Sequence, residues 1–320
     1  MPIVSRRGFL AGAFTCAGVL RAQQNNQQAQ TFLAGLAAGA PRTGRTQGGP
    51  PPRPVSRGPE ARIENFWRAC DDCSRLGVHY VEFNNTHRGI MEAYESRIGE
   101  YRDEMAKRGL TLLEFALYSH IHDTSKLQEL AGYHLRLARF LKATGGKSIV
   151  HLLAPGPQLG NGDEESYRTM DVKAASANMN EVGKRVLQET GIRIGYHPEQ
   201  GDIRAGVWER YLESTDERYF KFWPDVGHLV ACGVNPLEVY RKHRARIIGT
   251  HFRDYAPPPE PSKDGRPARG RMVPFGTGII DLPALAAHLR EIRFEGAVMG
   301  EGGGNEGMAV YMAQSLKLKL

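Results

Sequence analysis

Cysteine is scarce in this chain of 320 residues: there are four, and apart from Cys16 only Cys70, Cys73 and Cys232 are left for a folded part. Three thiols without a paired framework exclude a disulfide-stapled scaffold. Long apolar runs are missing as well. The N-terminal run FLAGAFTCAGVL, 9–20, falls short of the ~20 residues that a membrane-spanning helix needs. No G-x-G-x-x-G turn opens a helix, which argues against a doubly wound dinucleotide-binding sheet. Acidic residues are absent from the first 57 positions, where seven arginines stand; taking those seven from the 42 basic residues leaves 35, against 35 acidic ones. The formal charge of +7 therefore belongs to the N-terminal stretch, and the neutral remainder argues against a nucleic-acid partner. What is present, 41% hydrophobic and 24% charged residues, is the composition of a folded protein with a sizeable core.

The N-terminus runs in the order basic, apolar, small. Ser5-Arg6-Arg7-Gly8-Phe9-Leu10 resembles a twin-arginine export signal, and Ala22 offers a small residue for cleavage, so 1–22 reads as a signal peptide. That address implies carriage by the twin-arginine translocase, a periplasmic location and a cofactor inserted before export. No stable membrane anchor is expected, and lipid attachment at Cys16 is disfavoured by the Ala13-Phe14-Thr15 before it. Residues 23–58, rich in Gln, Pro, Gly and Arg, read as a linker. Its one apolar stretch, TFLAGLAAGA at 31–40, is either a first strand or a remnant of the leader.

From residue 59 to 320 the pattern is that of a single catalytic domain. Ile63, Phe66, Trp67, Cys70, Cys73 and Leu76 fall at helical spacing, which places both cysteines of CDDC on a buried stripe rather than in a zinc or redox pair. Short apolar runs then alternate with helical stripes: VHYVEF (78–83), LTLLEFAL (110–117), SIVHLL (148–153), IRIGYH (192–197), YFKFW (219–223), RIIGTHF (246–252) and EGAVMG (295–300). Such spacing fits βα units, and continuous apolar strands fit a parallel sheet covered on both faces. With an eighth strand from about 31–38, the expectation is a (βα)8 TIM barrel.

In that fold the strand C-termini build the site. Reading each strand to its end gives Glu82; His120 and His122; His151; His197 and Glu199; Asp225 and His228; His251, Arg253 and Asp254; and Glu301. Imidazoles and carboxylates converging from several strands point to one divalent ion, and the mixed nitrogen and oxygen set without thiolate suits Mn, Co, Mg or Zn.

Four motifs, in order, carry a resemblance. WPDVGH (223–228), THFRDY (250–255), PFGTGIID (274–281) and VMGEGG (298–303) are similar to strand ends and a turn of the sugar phosphate isomerase/epimerase family, whose barrel is xylose isomerase-like. The resemblance implies that Asp225, His251 and Glu301 are metal ligands and that His228 and Arg253 hold substrate oxygens. Where sugar epimerases of the family carry a ligating glutamate on the fifth strand, this chain has His197, with Glu199 two residues on. The Tyr196-His197-Pro198 form resembles the branch of inosose dehydratase-like proteins. His197 is assigned as fourth ligand, with Glu199 as the competing ligand or an acid/base.

The expected function is that of an exported, metal-dependent isomerase or epimerase acting on a non-phosphorylated sugar, polyol or keto-sugar by removing a proton next to a metal-polarised carbonyl. Glu301, Glu199 and His228 are its candidate catalytic groups, with His151 a further proton donor. Inversion by two bases is weakened if an imidazole replaces one carboxylate, so a keto-sugar or keto-glycoside lyase or dehydratase is the alternative, and a non-catalytic sugar-binding barrel the reading from another class. Glu82, His120, His151, Trp223, His228 and Arg253 are candidate substrate contacts; Glu82 could equally pair with a core arginine, and for Trp223 packing is the favoured reading. A small carbohydrate is the expected partner, and a homo-oligomer is compatible with this reading. The Pro- and Arg-rich stretch 256–272 after the seventh strand reads as a lid or solvated loop on the site's face.

Overall fold

A computed structural model describes residues 30–38, 59–84, 88–259 and 270–320. The expected signal peptide with Cys16, the linker at 23–29 and 39–58, and the middle of the 256–272 stretch lie outside the described residues. The strands are β1 (Leu33–Ala37), β2 (Tyr80–Asn84), β3 (Thr111–Ser119), β4 (Ser148–Leu153), β5 (Arg193–Tyr196), β6 (Phe220–Phe222), β7 (Gly249–Phe252), a two-stranded antiparallel ribbon of β8 (Asp254–Ala256) and β9 (Arg271–Val273), and β10 (Ala297–Gly300). Eight of them pair in parallel in the order β6-β5-β4-β3-β2-β1-β10-β7. Bridges from Phe222 to Ile247 and from Asp225 to His251 bring the two ends together, so the sheet closes into the expected barrel. Its first strand comes from the 31–40 stretch, inside the segment read as linker.

The helices are α1 (Pro59–Arg75), α2 (Arg88–Tyr94), α3 (Ile98–Lys107), α4 (Leu127–Thr144), α5 (Glu164–Thr169), α6 (Val172–Thr190), α7 (Gln200–Arg204), α8 (Trp208–Glu213), α9 (Val226–Ala231), α10 (Pro236–His243), α11 (Leu282–Glu291) and α12 (Asn305–Gln314). α6 shows how sequence sets them. Asp171 accepts the Ala174 N–H to start it, Ala175, Met179, Val182 and Val186 form its buried stripe, and Gly191 at φ 77° ends it. Each fully buried Val or Leu on such a stripe contributes about 1.5–3 kcal/mol. Cys70 and Cys73 lie on the buried stripe of α1, with Cys70 Sγ 4.0 Å from Met105 Sδ; burial raises both thiols, Cys73 to about 12, as suits core residues.

Two cores result. The larger fills the layer between strands and helices; the smaller fills the barrel lumen with Leu113, Val150, Leu152, Met299 and Trp223. Alternation decides which residue goes where: in β4, Val150 and Leu152 face the lumen while Ile149 and Leu153 face the helices. Trp223 spans the lumen because Gly249 lies against it. A Cβ at Gly249 would stand 2.0 Å from the indole, so this close approach requires glycine.

Candidate metal centre and active site

His197 follows β5, Asp225 precedes α9, His251 sits in β7 and Glu301 follows β10, so the barrel brings four distant positions to one end. One donor atom from each lies within 4.8 Å of the other three. Asp225 is divided between two tasks. Its Oδ1 accepts the His228 backbone N–H at 2.9 Å and caps α9, which leaves Oδ2 aimed into the cluster. Oδ2 is 3.6 Å from His197 Nε2, 3.8 Å from His251 Nδ1 and 2.8 Å from Arg253 Nε. His251 Nδ1 is 3.0 Å from Glu301 Oε2, and Arg253 also pairs with Glu301.

These donor atoms fit a metal. Among the described residues both nitrogens of His197 are buried without a hydrogen-bond partner, and Asp225 Oδ2 and His251 Nδ1 meet charged groups without hydrogen-bond geometry, an arrangement that is costly unless something compensates it. Ligand atoms around an ion at bond lengths of about 2.1 Å stand about 3 to 4.2 Å apart, so small side-chain shifts complete the shell. The electrostatics agree. Burial opposes charge on Asp225, but His228 and Arg253 hold its carboxyl far below the usual range. Glu301, likewise against burial, is held low by Arg253 and His251. Burial would lower His251, yet the Glu82 and Glu301 carboxylates raise it well above its ordinary value, so this pocket attracts positive charge.

Around the cluster stand groups that complete a site. Glu199, just past β5 and 7% exposed, is gripped at both oxygens: Tyr118 donates its hydroxyl to Oε1 at 2.7 Å, and Asn161 donates to Oε2 at 3.2 Å. Tyr167 in turn donates to Asn161 Oδ1 at 2.8 Å. His228 Nε2 lies 3.3 Å from Glu199 Oε2 and 3.7 Å from Asp225 Oδ2, and burial lowers its pKa. Glu199 thus borders the four-residue set without belonging to it, while His197 belongs.

Other expected contacts fall elsewhere. Glu82 meets neither a core arginine nor the mouth; its Oε2 accepts from His251 Nε2 at 2.7 Å, behind the cluster. Trp223 is fully buried in the lumen, its ring centroid 5.9 Å from that of His251, so it packs as the floor of the site and does not face a sugar at the rim. His151 has the outward parity of Ile149 and Leu153; it packs against His134, Tyr211 and Phe220 in the helix layer and does not reach the site. His120 is half-buried, with Nδ1 2.8 Å from the Ala154 carbonyl, outside the four-residue cluster. Asp254 is structural: its carboxylate accepts the backbone N–H groups of Tyr255, Gly276, Gly278 and Ile280 and so pins the 274–281 turn. Sequence reasoning passed over Tyr118 and Asn161. Tyr118 shares lumen parity with Ala116 and was within reach of pattern reading; Asn161 lies in irregular chain and was not.

A family model described as the xylose isomerase-like TIM barrel matches residues 70–317. An inosose dehydratase from Clostridium botulinum is 26% identical over 279 residues, covering 81% of this chain and 89% of that protein. Among solved structures, a xylose isomerase-like TIM barrel protein from Mycobacterium smegmatis in complex with magnesium superposes with a TM-score of 0.62 at 16% identity, covering 90% of this chain and 96% of that one. The 3-keto-D-glucoside 4-epimerase from E. coli superposes with a TM-score of 0.55 at 18% identity, covering 79% and 95%. With eight parallel strands, the ordered motifs and a match over most of its length, the chain belongs to the xylose isomerase-like TIM barrel family.

Proposed function

We propose that this protein is a divalent-metal-dependent lyase or dehydratase that acts on a keto-sugar, keto-glycoside or oxidised polyol. The observation that carries this reading is Glu199, the carboxylate that borders the ligand set and is held at both oxygens by Tyr118 and Asn161. His197, Asp225, His251 and Glu301 would hold a divalent ion, which would supply Lewis acidity toward a substrate carbonyl and so a more acidic neighbouring C–H. Glu199 takes that proton, and the electron pair left on carbon forms a C=C bond as the adjacent C–O bond breaks. The proton passes from Glu199 by way of His228, whose Nε2 lies 3.3 Å from Glu199 Oε2, to the departing oxygen, so water or an alcohol leaves and the carboxylate is restored. Arg253 holds Asp225 and Glu301 in place from the side. The likeness to an inosose dehydratase and the magnesium in the M. smegmatis protein support this reading.

The isomerase or epimerase expected from sequence shares the first step, and the family's epimerases support it to a similar degree. Inversion at carbon requires a second base, for which Glu301 is the candidate. Its ion pairs with Arg253 and His251 favour the one-base elimination. Incubation with keto-sugars and keto-glycosides in deuterated water separates these. Elimination gives an enone absorbance and released water or aglycone, isomerisation gives carbon-bound deuterium in recovered sugar, and both stop on chelation and in Glu199→Gln. A metal-loaded protein that yields neither overturns both in favour of a sugar-binding barrel.

Export by the twin-arginine route belongs to the same proposal, on the strength of Arg6 and Arg7 before an apolar run. Replacing the pair by lysines is expected to leave the protein in the cytoplasm at its full length; periplasmic recovery of that variant would refute it.

A further inference from the structure

The opposite mouth of the barrel, where the strands begin, opens into a cavity of about 810 Å³. Six basic side chains line it: Lys147, Arg193, Arg218, Lys221, Arg244 and Arg293. Cations are expected here for an ordinary reason, since helices end on this side and positive charge complements their C-termini. That reason accounts for Arg244, which donates to the Ile292 carbonyl at 3.0 Å. Arg218 is accounted for by its pairing with Asp216 at 2.5 Å.

None of the other four stands within ion-pair distance of a carboxylate among the described residues, although Glu217 and Asp216 act on Lys221 from farther off. Two of the four do not point back at helix ends at all. Arg193 and Lys221 alternate along β5 and β6 with Ile194, Phe220 and Phe222, which pack on the helices, so both project toward the lumen. The β5–β6 register pairs Lys221 with Gly195, which has no side chain, and leaves Arg193 as its diagonal neighbour on the same face. Burial, then the charge of Arg193, lowers the Lys221 ammonium. The carboxylates of the lining do little to offset them. Glu114, at the inner end, is raised well above its ordinary value by burial and by Glu82, and Glu295 stands exposed near the rim.

In a fold that is otherwise charge-balanced, unpaired cations converging on one concave surface repel each other, and an anion of matching valence relieves them. We infer that this mouth binds a small multivalent anion carrying two or more phosphate or carboxylate groups, with Arg193 and Lys221 at the inner end and Lys147 and Arg293 near the rim. Apolar walls from Leu33, Ile248 and Phe294 leave room for a compact skeleton between the charges. Trp223 fills the lumen between this cavity and the metal centre, so the two sites are separate.

The test is calorimetric titration of the full chain, stripped of metal so that chelation contributes no heat, with citrate, tripolyphosphate and benzene-1,3-disulfonate. Saturable binding of at least one of them is expected, weakening with added salt and falling about tenfold in affinity in Lys221→Gln and in Arg193→Gln. His251→Ala, at the other mouth, is expected to bind as the parent does. Without anion, Lys221→Gln is expected to melt at a higher temperature than the parent, which a merely misfolded variant would not. Preference for citrate or for tripolyphosphate identifies the anionic group. No saturable binding of any probe, parental affinity in both charge-removing variants, or loss of binding in His251→Ala would overturn the inference.

Discussion

Glu82 holds His251 from behind: the carboxylate accepts from Nε2 at 2.7 Å while Nδ1 of the same ring faces Asp225 and Glu301. A carboxylate in that position fixes the tautomer and orientation of a metal-binding imidazole. Glu82→Gln is therefore expected to weaken metal binding about 10- to 100-fold, read by competition against a chromogenic chelator. Retention of parental affinity would remove Glu82 from that role.

Because Asp225 uses one oxygen as a helix cap and the other toward the cluster, two substitutions separate the tasks. Asp225→Asn keeps an oxygen for the His228 N–H and is expected to lose metal while melting near the parent. Asp225→Ala is expected to lose metal and about a further 1 kcal/mol of stability with the cap. Metal content by mass spectrometry and thermal melts read the two effects.

Tyr118 touches Glu199 and not the ligand set. Tyr118→Phe leaves the ring in place and frees Glu199 Oε1. Expected is a loss of about ten- to a hundredfold in kcat with metal content unchanged. Steady-state kinetics beside metal analysis checks this, and a parental kcat would deny that the tyrosine positions the base.

His134 and His151 stack between α4 and β4, ring centroids 6.0 Å apart and fully buried. Both nitrogens of His151 and Nε2 of His134 lack hydrogen-bond partners among the described residues. Burial lowers His134 to about 4 and holds His151 well below its ordinary value. In the unfolded chain both titrate near about 6.5. Above that pH neither affects stability; below it the unfolded chain takes up protons that the fold refuses, so stability falls as pH drops toward 4. The slope is about 1.4 kcal/mol per pH unit for each histidine. Melting temperatures of His151→Phe are expected to decline more gently than the parent's over that range. An identical decline would place the acid sensitivity elsewhere.

Strand-end residues were legible in sequence because parallel strands read as apolar runs and the fold dictates which end carries polar groups. That logic found His197, Asp225, His251 and Glu301 together. It misplaced His151 because a run apolar on both faces hides which parity faces the lumen; only the packed barrel shows Val150 and Leu152 inside, with Trp223 packed beside them as the favoured reading had it. Glu82 was found without its partner, since β2 and β7 are remote in sequence and meet only across the closed sheet. Glu114 was read as a plain strand residue. Its inward turn comes from a shift in the β2–β3 register between Val81 and Glu82, which no periodicity announces.

The ribbon after β7 brings Ala256 opposite Arg271, and Asp254 ties its base to the following turn by four backbone hydrogen bonds. Chain leaving at one end of that ladder returns beside it, whatever lies between. Doubling the length of a segment so closed costs only about 0.6 kcal/mol. The stretch between those ends can therefore lengthen or shorten while the four-residue cluster of His197, Asp225, His251 and Glu301 stays where the barrel holds it.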